Sequence, residues 1–178
     1  MLKLSMEQLN RPSATSFAKQ KKMPITVVLD NVRSMHNVGS IFRTADGFAV
    51  ENICLCGYTP LPPHRDINKT ALGATDTVPW IHHTNTSLCL QQLTTQGYTI
   101  YAVEQVTQSI ALHQFTPIYG KVAIVFGNEV DGVSNDALLH CNHAIEITQL
   151  GTKHSLNISV AAGIVLYKFF EHFLPKHY

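Results

Sequence analysis

Ile147-Thr148-Gln149-Leu150-Gly151-Thr152-Lys153-His154-Ser155-Leu156-Asn157-Ile158-Ser159-Val160-Ala161-Ala162 reads as the end of a strand, a polar loop and the start of a long apolar helix. Ser155 and Asn157 fall in the predicted first turn, where polar side chains ordinarily cap free N–H groups. The small residues that follow imply close packing against another surface. The helix is predicted to run to about Phe173, and its apolar residues (Leu156, Ile158, Val160, Ile164, Val165, Leu166, Phe169, Phe170) cover more than one face. Such a helix is buried on two sides, for example by a sheet and a partner subunit.

Working outward, Ala144–Ile147 is the strand feeding this loop, and Ser134 caps a helix through His140. Further upstream, Val122–Phe126, Thr99–Val103, Val78–Ile81, Ile53–Cys56 and Ile25–Leu29 are short β-rich runs. Between them lie helical stretches at Ser87–Gln96, stopped by Gly97, at Ile67–Leu72, and at Val38–Phe48 with Asn37 as N-cap. Pro60, Pro62 and Pro63 mark residues 58–66 as loop. Strands alternating with helices predict an α/β fold with a mainly parallel sheet. Ligands in such sheets bind beyond the carboxyl ends of the strands. Residues 24–178 read as one unit and residues 1–23 as an extension, with a Ser5/Gln8 capping box starting a short helix through Leu9.

The composition removes several classes. With 178 residues and 45% hydrophobic content the chain can bury a full core, and 14% charged residues are far too few for a disordered polymer. No apolar run approaches the ~20 residues of a membrane-spanning helix, and the polar N-terminus lacks a secretory apolar core. The expectation is a cytoplasmic protein with no membrane contact. Four cysteines at irregular spacing do not make a disulfide framework. Cys54 and Cys56 share one strand face and read as buried thiols. His140-Cys141-Asn142-His143 has no second cluster at metal spacing, so no metal site is expected. The dinucleotide-binding, Walker A, nucleophile-elbow, C-x-x-C and H-E-x-x-H signatures are all missing from the sequence. Pairing Ser155 with the adjacent His154 as a hydrolase fails, since neighbours at a helix start point apart.

Three loops carry the remaining chemistry. Asn37-Val38-Gly39-Ser40-Ile41-Phe42-Arg43 sits at a strand-to-helix turn, where Gly39 allows another backbone close and Arg43 lies in an apolar stretch. An arginine there needs either an ion-pair partner or a functional role. Phe126-Gly127-Asn128-Glu129-Val130-Asp131-Gly132-Val133-Ser134 is a tight turn with two acids between glycines, readable as capping or as a ligand-facing loop. The third is the segment quoted at the outset.

Taken in order, N-x-G-x-x-x-R, F-G-N-E-x-x-G-V-S and G-x-x-x-S-L-N-I-S-V-A-A resemble the SpoU (TrmH) branch of the SPOUT RNA methyltransferases, over roughly residues 24–170. The resemblance implies a C-terminal trefoil knot, S-adenosylmethionine as cofactor, a homodimer, and methylation of the ribose 2′-OH of RNA. It implies a cofactor site at Val103, Glu104, Phe126, Gly127, Asn128, Ile147, Gln149, Leu150, Ser155 and Leu156. It maps Arg43, Asn37, Glu129, Ser155 and Asn157 onto catalytic positions, with Glu129 orienting Arg43 or Asn37 and Arg43 serving a site shared with the other subunit. Because arginine stays protonated in proteins, Arg43 reads better as an anchor for the RNA phosphate than as a base. Many relatives carry Ile-Pro where this chain has Ile147-Thr148.

Only 23 residues precede the first expected strand, and the reading therefore favours tRNA as substrate, the alternatives being rRNA or a non-catalytic RNA-binding protein on the same fold. A net charge of +1 excludes a broad basic footprint. RNA contacts are expected from a focused patch of Lys19, Lys21, Lys22, Arg33 and Arg65, with Lys168 and Lys176 near the C-terminus.

Overall fold

The computed structural model describes residues 1–5 and 7–174. A short helix α1 (Ala14–Lys19) leads into β1 (Met23–Asp30), α2 (Met35–Gly47), β2 (Val50–Cys56) and α3 (Arg65–Ala71). Next come a single 3-10 turn (Ala74–Asp76), β3 (Trp80–His83), α4 (Thr86–Thr95), β4 (Thr99–Val103) and the two-residue β5 (Ile110–Ala111). The chain continues through β6 (Val122–Phe126), α5 (Asn135–Leu138), β7 (His143–Glu146) and α6 (Ile158–Phe173). The strands form one seven-stranded sheet in the order β3-β2-β1-β6-β4-β7-β5. Every adjacent pair is parallel, as the strand–helix alternation requires.

The pleat sorts the core into two layers. Ile25, Val27, Leu29, Ile53, Leu55, Ile124 and Phe126 face α2, α3 and α6. Val28, Cys54, Cys56, Ala123 and Val125 face α4 and α5. β1 lies inside the sheet and is covered on both faces, hence its unbroken run of buried residues from Ile25 to Asp30. Tyr101, Phe115 and Phe169 close one end of the larger layer, with ring centroids 5.3–5.6 Å apart.

Several boundaries differ from the sequence reading. Helix α2 starts one turn early because Ser34, not Asn37, is its N-cap and accepts the Asn37 N–H. Asn37 lies inside the first turn, which frees its amide for other work. Helix α6 starts after Ser155, because Asn157 is the N-cap and accepts from Ser159 N–H at 2.9 Å. Ser155 and Leu156 therefore belong to the loop. The Ser5/Gln8 pair does exchange its two hydrogen bonds, but the segment at 7–10 is a turn. The true first helix, α1, is capped by Ser13 inside the Ser/Thr-rich stretch that reads as a terminator. β5 is too short to leave a pattern. Lys176 lies outside the described residues.

Gly39 marks the close approach of α2 and α3. A Cβ there would overlap the Ile67 carbonyl oxygen and Thr70 Oγ1. Thr70 Oγ1 itself is tied to the His36 carbonyl at 3.0 Å. Gly39→Ala gains about 1 kcal/mol of helix propensity but drives a methyl group into backbone. We expect a net loss of about 1–3 kcal/mol, read as a lower urea midpoint with an unchanged slope.

Candidate functional site

β6, β4 and β7 are neighbours in the sheet, so the loops leaving their carboxyl ends meet. Between them opens a cleft of about 460 Å3, within the usual ligand-site range. The loop after β6 is folded tightly on itself. Asn128 and Gly132 exchange backbone hydrogen bonds at 2.9 and 3.0 Å. The Asn128 side chain accepts from Val130 and Asp131 N–H and donates to the Asn31 carbonyl at 2.7 Å and the Tyr58 hydroxyl at 2.9 Å. Glu104, at the end of β4, accepts the Val133 N–H at 2.9 Å. Buried Asp30, at the end of β1, accepts the Ser134 N–H at 2.8 Å and the Thr86 hydroxyl at 2.6 Å. The C-terminal end of this loop is thus held by carboxylates from the two strands that flank β6.

A chain of amide contacts joins the three sequence motifs. Asn157 Nδ2 donates to Asn37 Oδ1 at 3.0 Å, and Asn37 Nδ2 donates to Glu129 Oε1 at 2.9 Å. Glu129 also accepts the Ser34 N–H at 3.1 Å and the Arg33 N–H at 2.9 Å. Asn157 Oδ1 meanwhile takes the Ser159 hydroxyl at 2.6 Å. Of the two partners the sequence offers Glu129, it takes Asn37 and not Arg43. Partial desolvation pushes the Glu129 carboxyl up, but the N–H donors from Arg33, Asn37 and Ser34 outweigh it and hold the group below its ordinary 4.5. A carboxyl whose folded pKa is depressed stabilises the fold above the unfolded value and loses that contribution as pH falls through the lowered one. Urea unfolding from pH 6 to 3 should show a loss of stability in wild type that is smaller in Glu129→Gln. Equal pH dependence in the two proteins would remove Glu129 as the cause.

Of the residues expected at a cofactor site, Val103, Glu104, Phe126, Gly127, Asn128, Ile147, Gln149, Ser155 and Leu156 line the cleft. Leu150 does not: it stands outside, 98% exposed, because the polar loop around Gly151 turns it to solvent. Glu129, Asn157 and Ser155 line the cleft, and Asn37 joins it through its two amide contacts. Gln105 and Glu146, which the sequence reading did not single out, also line it, as do Asp131 and His154 from within the quoted loops. Asp131 sat within a quoted motif, and Glu146 ends a strand next to a recognised loop, so position relative to strand ends was the available signal. Four carboxylates (Glu104, Glu129, Asp131, Glu146) face an apolar wall of Val103, Phe126, Ile147, Leu156 and Ile158. That suits a ligand with a flat apolar part and a positive charge.

Arg43 lies apart, exposed on α2 outside the cleft, between buried Phe42 and half-buried Thr44. Lys19, Lys21, Arg33 and Arg65 are exposed, on α1, the α1–β1 connection, the β1–α2 turn and the start of α3. Lys22 is a correction. Its Nζ sits over the Phe17 ring, 2.9 Å from the centroid, buried with no hydrogen-bond partner. Burial lowers its pKa against the pull of Asp46. It anchors α1 to the sheet domain and is not available to a phosphate. Thr148 has its hydroxyl 3.4 Å from His113 Nδ1. Among the described residues no helix is long and apolar enough to cross a membrane.

Comparison with known proteins agrees with this geometry. The sequence model of the SpoU rRNA Methylase family matches residues 24–167. The chain is 33% identical over 163 residues to the 23S rRNA (guanosine-2'-O-)-methyltransferase RlmB of Vibrio parahaemolyticus, covering 91% of this chain and 65% of that protein. An AdoMet-bound rRNA methyltransferase from Sinorhizobium meliloti superposes with a TM-score of 0.80 at 25% identity, covering 89% of this chain and 61% of that one. The A. aeolicus TrmH/SpoU tRNA modifying enzyme superposes with a TM-score of 0.78 at 25% identity, covering 88% and 78%. The chain spans just under two thirds of the curated relative's length.

Proposed function

Because the chain belongs to the SpoU rRNA Methylase family, we propose that it transfers a methyl group from S-adenosylmethionine to a ribose 2′-hydroxyl of ribosomal RNA. The observation that carries this reading is the cleft, where the loops after β4, β6 and β7 meet and the Asn157–Asn37–Glu129 chain ends. Its volume suits a nucleoside-sized ligand, its apolar wall suits an adenine, and its four carboxylates suit a sulfonium and an ammonium. The family's trefoil threading of the C-terminal loops belongs to the same reading.

When bound, S-adenosylmethionine supplies a methyl group on a sulfonium, already an excellent leaving group. The chain's task is therefore alignment of the 2′-oxygen and stabilisation of its developing charge. Backbone groups at Gly127, Ile147 and Leu156, which line the cleft, would hold adenine and ribose. Glu129 fixes Asn37, which fixes Asn157, so both amides are oriented before substrate arrives. Ser155 and Asn157 contact the incoming nucleotide. Arg43, a permanent cation, would hold the phosphate beside the target ribose and stabilise the charge that develops on the 2′-oxygen as its proton passes to solvent.

Arg43 lies outside its own cleft, which supports a site completed by a second copy. α6 offers the surface for that copy. Ile158, Ala162, Val165, Leu166 and Phe169 point into the core, while Val160, Ile164 and Tyr167 form an exposed apolar stripe, 51%, 41% and 54% exposed. The homodimer expected from sequence would bury this stripe.

The choice of tRNA in the sequence reading rested on the short segment ahead of β1. The 23S rRNA guanosine specificity in the name of the Vibrio relative turns it toward rRNA. The test is methyl transfer from labelled S-adenosylmethionine to separated rRNA and tRNA, followed by alkaline digestion. Label kept in alkali-resistant dinucleotides of rRNA is the expected result, since that linkage survives only without a free 2′-OH. Resistant label in tRNA alone would reverse the substrate, and label released in mononucleotides would overturn ribose as the target.

A further inference from the structure

Away from the cleft, at the opposite end of the sheet, three potential metal ligands converge beneath α4. Cys54 lies on β2, His83 at the carboxyl end of edge strand β3, and Cys89 on α4. In the parallel register Cys56 stands opposite His83, so Cys54, Cys56 and His83 share one sheet face, and α4 lays Cys89 onto it. Cys54 and Cys89 are 2% and 1% exposed, and His83 is half-buried. The Cys54 Sγ, the Cys89 Sγ and a His83 ring nitrogen all lie within 4.8 Å of one another. We infer that Cys54, His83 and Cys89 form a binding site for one thiophilic divalent cation of the Zn2+ type.

The geometry needs little adjustment. Zn–S bonds of ≈ 2.3 Å and Zn–N bonds of ≈ 2.0–2.1 Å put the ligand atoms of a tetrahedral site roughly 3.5–3.8 Å apart. Side-chain rotation alone can close the remaining gap. Asn52, on the same strand face, donates its Nδ2 to Cys54 Sγ at 3.7 Å, the kind of N–H···S contact that orients a thiolate ligand. The half-open His83 at the sheet edge gives an entry path. Cys56, fully buried on the same sheet face, stands opposite His83 in the strand register.

Charge selects the class of ion. A metal takes cysteine as thiolate and histidine as neutral imidazole. Two thiolates, one neutral imidazole and a dication sum to zero, the state a buried site tolerates best. A monovalent soft ion would leave a net negative charge there. In sequence Cys54 and Cys56 read only as buried thiols on one strand face. His83 and Cys89 join them only through the β2–β3 register and the seating of α4.

The test uses the full chain, reduced and stripped with a chelator, titrated anaerobically with Co2+ as a spectroscopic stand-in for Zn2+. The expected result is one equivalent taken up with a thiolate-to-cobalt charge-transfer band, bleached by one equivalent of Zn2+, and a melting temperature raised by Zn2+. Cys89→Ser should abolish the band. His83→Ala, at a half-buried edge position that tolerates truncation, should weaken uptake about tenfold or more while Asn52→Leu weakens it about 10–100-fold. Uptake without a thiolate band, or a band unchanged in both Cys89→Ser and His83→Ala, would overturn the site and assign binding to the exposed histidines.

Discussion

Arg43→Ala is expected to lower methyl transfer by about 10²–10³-fold, the usual loss on removing one group that stabilises developing charge, while S-adenosylmethionine binds as in wild type. The residue is exposed on α2 and outside the cleft, so truncation removes no core contact and no cleft wall. The melting temperature should not move. Arg43→Lys keeps the charge without the planar fork and should recover only part of the loss. Cofactor affinity by calorimetry and single-turnover transfer on the same preparations separate the two effects. If cofactor affinity falls with activity, Arg43 belongs to the cofactor site instead. A mixing experiment then tests sharing between subunits. Arg43→Ala combined with a variant crippled only in the cleft should restore about a quarter of wild-type activity, since half the dimers are mixed and each holds one intact site. No recovery on mixing would place Arg43 in service of its own subunit's cleft.

What sequence could and could not supply follows from the range of the interactions. Alternation of apolar strands and helices is local, and it delivered the parallel sheet and every strand except the two-residue β5. The three motifs were legible as motifs, yet their meeting was not. Asn37, Glu129 and Asn157 are 92 and 120 residues apart along the hydrogen bonds that join them. Cap positions went wrong for a shared reason. At α2 and α6 more than one polar residue stood near the helix start, and tertiary contacts chose among them. Ser34 took the cap, which left the Asn37 amide for Glu129 and Asn157. Lys22 read as a surface cation because its partner is the ring of Phe17, five residues back on a helix that the pattern did not reveal. Arg43 read as an arginine needing either an ion-pair partner or a functional role, and local pattern could not decide between them; the fold leaves it exposed on α2.

Gly127→Ala should abolish measurable cofactor binding at concentrations that saturate wild type. A Cβ at this position would overlap the Gly132 carbonyl carbon and the Val133 nitrogen, both backbone, so no side chain can swing aside. The loop must open, and with it go the Asn128–Gly132 exchange and the Val133 N–H to Glu104 contact that shape the cleft. Overpacking of this kind costs about 1–3 kcal/mol of stability, so a folded protein is still expected. Gly39→Ala is the matched control. It carries a similar clash and a similar stability loss, but at the α2–α3 contact, clear of the cleft. Below both melting transitions Gly39→Ala should bind cofactor normally while Gly127→Ala does not. If both variants lose binding equally, general destabilisation explains the loss. If neither does, the loop after β6 is not where the cofactor sits, and the acid-lined cleft needs another ligand.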